Sequence, residues 1–241
     1  MLGHAYHEHI VALIDAIQRE EQPGIEAAAV LAADAIAGGG VLHAFGSGHS
    51  AMVAMEITSR AGGLVPVNQI IDTMEGVAER LPGYAESILH PYEMQYEMRP
   101  GEALIVISNS GINPLPIEVA TGAKARGLRT IGISNVGQSR AATSLHPSGQ
   151  RLFEVVDVSL DTHAASGDAA VALPGSAQRS GATSTIAGAY LINLLMLRVV
   201  ELLVERGVEP PVLMSKNLPG ADASNARLLA RHRARVRRPG A

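Results

Sequence analysis

The sequence predicts an α/β protein whose parallel sheet is covered by helices on both faces. Three observations carry this prediction: short apolar runs bounded by glycines, helical patterns between these runs, and a strand–loop–helix unit that occurs twice. Strands that alternate with helices along a chain form a parallel sheet, because each helix returns the chain to the edge where the previous strand began. With 241 residues, of which 47% are hydrophobic, the chain is long enough to bury a core of this kind.

Two helical patterns open the chain and predict an N-terminal helical hairpin over residues 1–38. The first has three isoleucines and a leucine at helical spacing between Ile10 and Ile17, and it ends near Pro23. The second runs over residues 25–37 and stops at three glycines. The hairpin is rich in alanine and has enough apolar surface to pack against a second subunit.

Two strand–loop–helix units form the centre of the predicted sheet. In the first, the apolar run at 41–45 leads into a loop with the sequence GSGHS at 46–50. In the second, the run at 103–107 leads into SNSGIN at 108–113. A helical pattern follows each loop; the first runs to Arg60, and the second begins with a proline, a common first residue of helices.

The remaining patterns complete a single domain. Strand patterns and one long helical pattern follow at 127–134, 152–160, 169–173 and 182–206. No linker of biased composition divides the chain, so we expect one domain over 1–241, with an α/β core at 39–220 and a basic tail at 221–241. Residues 227–241 carry six arginines and no acidic residue. We predict a solvated terminal helix there, with contact to a nucleic acid or a phosphate ligand as the alternative.

Composition and charge exclude several classes of protein. The chain has no Cys, which excludes a disulfide scaffold, a thiolate zinc site and a cysteine nucleophile. Its five Tyr and two Phe are too few for the stacking surfaces of proteins that bind single strands. The N-terminus lacks the layout of a secretory signal, and the longest apolar stretch, at 186–203, contains an Asn, an Arg and a Glu. We therefore expect a cytoplasmic protein without a membrane or nucleic-acid partner.

The two loops contain groups that bind a phosphate. A helix that follows such a loop presents free N–H groups and a partial positive charge to an anion. Gly46, Gly48 and Gly111 permit close approach of the backbone to the ligand. Side-chain donors are added by Ser47, Ser50, Ser108, Ser110 and Asn113. Neither loop matches the motifs for nucleotide phosphates, so no nucleotide cofactor is indicated; the alternative is that Gly and Ser merely cap the helices.

The loops and three further segments carry a resemblance to a known family. The further segments are RAGGL at 60–64, SGDA at 166–169 and PPVLMSKN at 210–217. Together with FGSGHS at 45–50 they resemble the SIS (sugar isomerase) phosphosugar-binding family, in particular its UPF0309, phosphoheptose isomerase-like branch. The resemblance implies a flavodoxin-like, three-layer α/β/α sandwich. It also implies a sugar-phosphate ligand, a homodimer or homotetramer, and a reaction without a cofactor.

The resemblance implies a role for each loop. The second loop would hold the phosphate of the sugar, through Ser108, Asn109, Ser110, Gly111 and Asn113. The first loop would lie near the sugar itself, with Ser47, Gly48 and Ser50. The family often has Thr or Ser where this chain has Asn113, so that contact departs from the usual pattern.

The helix that follows the first loop carries a candidate base. EITSR at 56–60 is similar to ELTGR of phosphoheptose isomerases, which implies that Glu56 removes the proton next to the substrate carbonyl. A partly desolvated carboxylate is suited to that task. Glu56 lies six residues after Ser50, about two turns into the predicted helix. The alternative is an ion pair between Glu56 and Arg60, four residues further along the helix.

The proton donor to the carbonyl oxygen is less clearly marked. Phosphoheptose isomerases supply a His from the C-terminal helix, but residues 187–205 contain none. His49 is the first candidate to replace it and His163 is the second, each with an ordinary hydrogen-bonding role as the alternative. Asp168, in a glycine turn, is a candidate for binding a sugar hydroxyl, with an Asx turn as the alternative.

Three histidines near the N-terminus could suggest a metal site. His4 and His7 share one helical face, while His9 lies elsewhere. Metal ligands must converge and need supporting partners, so we predict a solvated helix and no metal.

Three functions stay open at this point. The first is a cofactor-independent aldose–ketose isomerase acting on a sugar phosphate. The second is a lyase, because SGATST at 180–185 resembles the matching stretch in N-acetylmuramic acid 6-phosphate etherases, although N-capping of the long helix also explains it. The third is a non-catalytic sugar-phosphate sensor.

Overall fold

The computed structural model describes residues 1–236 of the chain. In this part, the elements follow one another as α1 (Leu2–Glu20), α2 (Gln22–Ala37), β1 (Leu42–Gly46), α3 (Ser50–Glu56), β2 (Val67–Ile71), α4 (Ala85–Tyr96), β3 (Ala103–Ile107), α5 (Pro114–Ala125), β4 (Arg129–Ser134), α6 (Val136–Ala141), α7 (Leu152–Val155), β5 (Val158–Asp161), β6 (Ala169–Ala172), β7 (Arg179–Ala182), α8 (Ser184–Glu205) and α9 (Ala221–His232).

Five parallel strands form the central sheet in the order β2-β1-β3-β4-β5. This is the strand order of flavodoxin-like folds, so the predicted fold class is confirmed. Every residue of β1 and β3 is buried, because helices cover both faces of the sheet. Strands β6 and β7 form a separate antiparallel pair.

The core has two halves, one on each face of the sheet. Side chains alternate between the faces along each strand, so that Ala103 and Ile105 point to one half and Leu104 and Val106 to the other. The first half packs against α1, α2, α3 and α8, and the second packs against α4, α5 and α7. The carboxyl ends of the strands are thereby held between two rigid helical layers.

The two N-terminal helices are joined by Glu21 alone. Pro23 lies in the first turn of α2, where an N–H group would have no partner within the helix, so its absence in proline costs no hydrogen bond. The alanine-rich face of α2 is buried against α8. Two ion pairs also join these helices at the surface: Arg198 Nε lies 2.6 Å from Glu26 Oε2, and Arg206 Nη1 lies 2.8 Å from Asp34 Oδ1.

Two elements differ from the sequence prediction. The helix after the first loop ends at Glu56 instead of Arg60, and Ser59 in the following turn adopts a left-handed conformation with φ of 52° that could not continue a helix. The apolar run at 152–160 is split into a short helix and a strand, because the Glu154 carboxylate accepts the N–H of Arg151 at 2.6 Å and caps a helical turn.

Helix α8 is the one helix in the described part of the chain that is long and apolar enough to cross a membrane. Half of the apolar window is buried inside the protein. Its buried side chains, such as Leu191, Leu195 and Val199, belong to the core on one face of the sheet. This packing accounts for the buried half of α8, while Leu197 and Val204 are exposed.

The C-terminal segment is tied to the opposite edge of the sheet from the two loops. The Arg235 side chain is 13% exposed, and its Nη2 lies 2.8 Å from Oε1 of Glu102, which immediately precedes β3. The other carboxylate oxygen lies 3.2 Å from Nε2 of the buried His43, whose Nδ1 lies 2.6 Å from the Tyr92 hydroxyl. The predicted solvated tail is therefore wrong for Arg235; Arg237 and Arg238 lie outside the described residues.

The Glu102 carboxylate is charged in this buried network. Burial acts to raise its pKa, but hydrogen bonds from His43 and from the N–H groups of Arg99 and Val41 outweigh burial and lower the pKa to about 2. The two N–H groups donate at 2.8 and 2.9 Å. Arg235 is the remaining partner of the Glu102 carboxylate, so the stability of this buried charge depends on a residue far away in sequence.

Replacing Arg235 with Ala should lower the free energy of unfolding by about 3 kcal/mol, because it removes a partner of a buried charge. Denaturant titration of the full chain measures this change. Arg233→Ala is the matched control, since Arg233 is exposed on the same segment. Equal stability of the two variants would contradict the proposed importance of the Glu102–Arg235 pair.

The same network predicts a loss of stability in acid. A carboxyl group with a lowered pKa stabilises the fold fully above its ordinary pKa of 4.5, and this contribution disappears as the pH falls from there toward about 2. Glu102→Gln should therefore flatten the dependence of unfolding free energy on pH in this range. A wild-type slope in this variant would show that other carboxylates cause the acid unfolding.

Candidate functional site

The two predicted loops meet where the strand order of the sheet changes direction. β1 and β3 are neighbours, with Gly46 opposite Ile107 at their carboxyl ends. From this pair the chain continues outward to β2 on one side and to β4 on the other. In open α/β sheets, ligands bind in the crevice at such a switch point. Both loops therefore face one crevice, as the sequence predicts.

The first loop is shaped by close backbone packing. A Cβ atom on Gly46 would clash with the carbonyl group of Ser50, and Gly48 adopts a φ of 53°, so both positions require glycine. Ser47 is buried, and its hydroxyl donates to Asp72 Oδ2 at 2.7 Å. His49 and Ser50 line the crevice at the start of α3.

The second loop is a tight turn around Gly111. The N–H of Gly111 donates to the Ser108 hydroxyl at 3.3 Å, and Gly111 adopts a φ of 63°. A Cβ atom at Gly111 would lie 2.9 Å from Ser139 Oγ, so no larger residue fits. Asn109 and Ser110 are partly exposed, and Asn109 lines the crevice. Within the described residues, the Ser110 hydroxyl makes no hydrogen bond, so it is available to a ligand.

Helix α5 offers fewer backbone donors to an anion than the sequence argument assumed. Its first and third residues are Pro114 and Pro116, which have no N–H. The N–H between them, on Leu115, donates to the backbone oxygen of Glu79 at 3.1 Å. An anion at the second loop must therefore be bound mainly by groups of the loop itself.

The open space at the site lies beside the loops rather than between them. The crevice encloses only about 10 Å³, which is about the space for one water molecule. A cavity of about 370 Å³ opens next to the first loop and is lined by Gly48, His49, Ala51, Met52, Asp72 and Glu75. A second cavity, of about 400 Å³, is lined by Met52, Met55, Glu56, Thr58, Arg60 and Ala61. Met52 lines both cavities, so together they follow the exposed face of α3.

Glu56 is the last residue of α3 and lines the second of these cavities. Its carboxylate forms an ion pair with Arg60, and Asn193 Nδ2 donates to Oε1 at 3.0 Å. The side chain is 27% exposed. The ion pair with Arg60 that the sequence offered as the alternative is thus present, and the role of Glu56 as a base stays a prediction.

The two candidate histidines differ in their surroundings. His49 lines both the crevice and the cavity beside the first loop. His163 adopts a φ of 51°, and its Nε2 lies 2.9 Å from Oε1 of Glu21 at the junction of α1 and α2. This contact ties His163 to the N-terminal helices, so His49 is the better-placed candidate.

Asp168 caps α8 from a distance in sequence. Its Oδ1 accepts the N–H groups of Thr183 and Ser184 at 2.9 and 2.7 Å, and its Oδ2 accepts the Ser184 hydroxyl at 2.9 Å. A carboxylate at the N-terminus of a helix also interacts favourably with the positive end of the helix dipole. The geometry supports this capping role rather than the predicted contact with a sugar hydroxyl. Ser184 and Thr185, which the cap positions, line the crevice.

The segment between β2 and α4 contributes acidic residues that sequence reasoning missed. Asp72 accepts four hydrogen bonds: from Ser47, from the N–H groups of Met74 and Gly76, and, at 3.3 Å, from the Tyr84 hydroxyl. This segment has no periodic pattern, and the position of Asp72 directly after a strand was the only available signal.

Glu79 lies further along the same segment, and its backbone oxygen accepts the N–H of Leu115 in the first turn of α5 at 3.1 Å. Burial raises the pKa of Glu79, although a hydrogen bond with the Asn113 side chain and the charge of Arg80 act in the opposite direction. Glu75 lines the cavity beside the first loop and adopts a φ of 50°. Across residues 1–236, no three His, Asp or Glu side chains converge as a metal-binding set.

Solved structures with this fold include proteins that handle sugar phosphates. The phosphoheptose isomerase GmhA from Neisseria gonorrhoeae superposes with a TM-score of 0.52 at 18% identity, covering 81% of this chain and 93% of that one. The Vibrio vulnificus NanR protein complexed with ManNAc-6P superposes with a TM-score of 0.53 at 16% identity, covering 96% of this chain and 69% of that one. At these identities the likeness extends to the fold alone.

Sequence comparison identifies the family. The family model for the SIS domain matches residues 5–135, which include both loops. The UPF0309 protein GK1441 of Geobacillus kaustophilus is 34% identical over 240 residues, covering 96% of this chain and 94% of that protein. The resemblance carried by the two loops is confirmed, and the chain belongs to the SIS domain family, among the UPF0309 proteins.

Proposed function

We propose that this protein binds a phosphorylated sugar at the carboxyl ends of β1 and β3 and interconverts its aldose and ketose forms without a cofactor. The observation that carries the proposal is the meeting of two glycine- and hydroxyl-containing loops at the switch point of the sheet. The phosphate is assigned to the second loop, and the sugar to the cavities along α3.

Neutral donors are sufficient to bind the phosphate. The Ser110 hydroxyl is free among the described residues, and the Ser108 hydroxyl accepts only a long hydrogen bond from Gly111, at 3.3 Å. Asn109 and Asn113 complete the set of side chains in this loop. Backbone and hydroxyl donors bind an anion strongly when the loop that carries them is rigid, because they need little reorganisation.

Glu56 is the proposed base. Isomerisation requires removal of a proton from the carbon next to the carbonyl group, and a positioned carboxylate can perform this step. Asn193 and Arg60 hold the Glu56 side chain at the border of the larger cavity. Met52 connects this cavity with the one that contains His49, so a sugar along α3 could reach both groups. His49 is accordingly the proposed proton donor to the carbonyl oxygen.

One observation favours a lyase as the second candidate function. Ser184 and Thr185, from the segment that resembles the etherases, line the crevice between the loops. An elimination would begin with the same step, in which the carboxylate removes a proton from the substrate. A leaving group would then depart, whereas an isomerase returns the proton to the neighbouring carbon. A sensor without catalysis is the third candidate; NanR, with the same fold, is complexed with ManNAc-6P.

We propose the cytoplasm as the place of action and a homo-oligomer as the functional form.

The base can be tested by hydrogen exchange. The full chain is incubated with a panel of pentose, hexose, heptose and amino-sugar phosphates in deuterated water, and deuterium at carbons 1 and 2 is measured by NMR. Glu56→Gln should reduce exchange by about a hundredfold or more, because it removes the base, while thermal-shift binding is retained. Glu201→Gln, an exposed carboxylate on α8, is the control. Binding without exchange or elimination for every compound would leave only the sensor function.

The phosphate loop can be tested by binding alone. Ser110→Ala should weaken the binding of the most strongly bound sugar phosphate about tenfold, because one hydrogen bond to an anion is lost. Isothermal titration calorimetry gives the dissociation constants. Ser87→Ala, which alters an exposed hydroxyl on α4, should leave them unchanged. Unaltered binding in Ser110→Ala would contradict the assignment of the phosphate to the second loop.

A further inference from the structure

The second loop is held from one side by the part of the chain that leads from β4 to α7. Three carbonyl oxygens of the loop each accept a backbone N–H from residues 135–152, which we call the backing segment. These hydrogen bonds run from Asn135 to Asn109 at 2.9 Å, from Leu145 to Ile112 at 2.9 Å and from Leu152 to Gly111 at 2.8 Å. Because β3 lies between β1 and β4 in the sheet, the backing segment lies on the other side of the second loop from the first loop.

These hydrogen bonds fix the direction of three N–H groups in the loop. In a trans peptide bond, the C=O of one residue and the N–H of the next point in opposite directions, and the described chain has no cis bond. A carbonyl that is turned toward the backing segment therefore turns the following N–H away from it. The N–H groups concerned belong to Ser110, Ile112 and Asn113, and none of them donates to another described residue. Backbone N–H groups that point to one side of a turn form a concave site for an anion.

Side-chain packing joins the backing segment to the loop and connects its two ends. A Cβ atom at Gly111 would lie 2.9 Å from the Ser139 hydroxyl oxygen of α6. The guanidinium carbon of Arg140 lies 5.2 Å from the centre of the Phe153 ring, and this contact joins the end of α6 to α7. Asn135 caps the start of α6 with its side-chain oxygen. The three N–H donors therefore belong to one packed unit.

Two side chains close the middle of the backing segment into a loop of its own. The Ser144 hydroxyl donates to the backbone oxygen of Gln150 at 2.7 Å. The Arg151 guanidinium donates to the backbone oxygen of Ala142, at 2.9 Å from Nη2 and 3.2 Å from Nε. The second of the three N–H donors lies inside this closed stretch, and the third directly follows it. The positions of both donors therefore depend on these two closing contacts.

The direction of each peptide group decides whether it attracts or repels an anion. A peptide that presents its N–H can donate to an oxyanion, whereas one that presents its carbonyl oxygen repels it. The reversed direction is unfavourable in this loop, because each carbonyl would lose its N–H partner in the backing segment. The donors are thus ordered before a ligand binds, which favours affinity.

We propose that Ser144 and Arg151 are positioning residues for the oxyanion at the second loop. They act through the backing segment, which keeps the N–H groups of Ser110, Ile112 and Asn113 directed at the ligand. Neither side chain lines the crevice or the two cavities along α3. The inference rests on the proposed function, because it assumes that the phosphate binds at this loop. It supplies the backbone donors that the prolines of α5 remove from the first turn of that helix.

The experiment uses sulfate as the probe, because sulfate resembles a phosphate group without its sugar. The full chain, labelled with nitrogen-15, is titrated with sodium sulfate at constant ionic strength, and its backbone amide signals are followed by NMR. In wild type, the signals of Ser110, Ile112 and Asn113 should shift together and give one dissociation constant. Ser144→Ala and Arg151→Ala should each raise this constant about tenfold, because the loop loses directed donors.

Further variants separate positioning from charge. Ser144→Ala changes no charge, and Ser144→Thr keeps the hydroxyl and should bind sulfate like wild type. Because Ser144 and Arg151 act through the same segment, the double variant should be weakened less than the two single effects combined, whereas an independent loss of charge would add. Thr143→Ala is the matched control, since Thr143 is exposed on the same stretch and its hydroxyl makes no hydrogen bond within residues 1–236.

A pair of variants at Leu145 tests the backbone contact itself. Leu145→Pro removes the N–H that holds the Ile112 carbonyl, so it should also raise the dissociation constant about tenfold. Leu145→Ala keeps this N–H and changes only a side chain that is 45% exposed, so its affinity should stay that of wild type. Denaturant titration of each variant checks that it is folded under the conditions of the binding experiment.

The outcomes distinguish this inference from the proposed function. If Ser110→Ala weakens sulfate binding while Ser144→Ala and Leu145→Pro bind as tightly as wild type, the inference is overturned and the phosphate site stands. The inference is also overturned if Ser144→Thr binds as weakly as Ser144→Ala, because the hydroxyl is then not the cause. If neither sulfate nor any sugar phosphate shifts the amide signals of the second loop, the proposed site and the inference fail together.

Discussion

The hydrogen-bonded pairing of β1 with β3 is the constraint on which the rest of the structure depends. Because the chain leaves this pair in opposite directions, to β2 and to β4, a crevice forms at the carboxyl ends of the two strands. Two loops that are 62 residues apart in sequence, counted from Gly46 to Ser108, are thereby brought to one crevice. The two helical layers keep the strands, and hence the loops, in fixed positions.

The loop to which we assign the phosphate lies near an excess of negative charge. Asp72, Glu75 and Glu79 lie on one segment beside the loops, and Glu56 borders the adjoining cavity. The phosphate of the proposed ligand would bind against this unfavourable field, and the hydroxyl and backbone donors of the loop would have to overcome it. Asp72 accepts four hydrogen bonds, whereas burial raises the pKa of Glu79.

The features that could be predicted from sequence are those with a local pattern. β1 and β3 are apolar runs of five residues, and the loops after them carry glycines that only a tight turn requires. The features that could not be predicted depend on distant partners. Nothing near Glu79 in sequence indicates that its backbone oxygen accepts the N–H of Leu115 in the first turn of α5, and the prolines that remove two N–H groups from this turn are also common at helix starts. Asp168 was recognised as part of a turn, but its helix lies fifteen residues further along.

The pairing of Arg235 with Glu102 also has a consequence for the folding of the protein during its synthesis on the ribosome. The sheet and most of its helices are encoded before residue 206, so they can assemble as they emerge from the exit tunnel. The buried carboxylate next to β3 lacks its guanidinium partner until residue 235 has emerged as well. The nascent domain therefore passes through a stage in which the crevice edge of the sheet is already formed while the opposite edge still carries an incompletely neutralised charge.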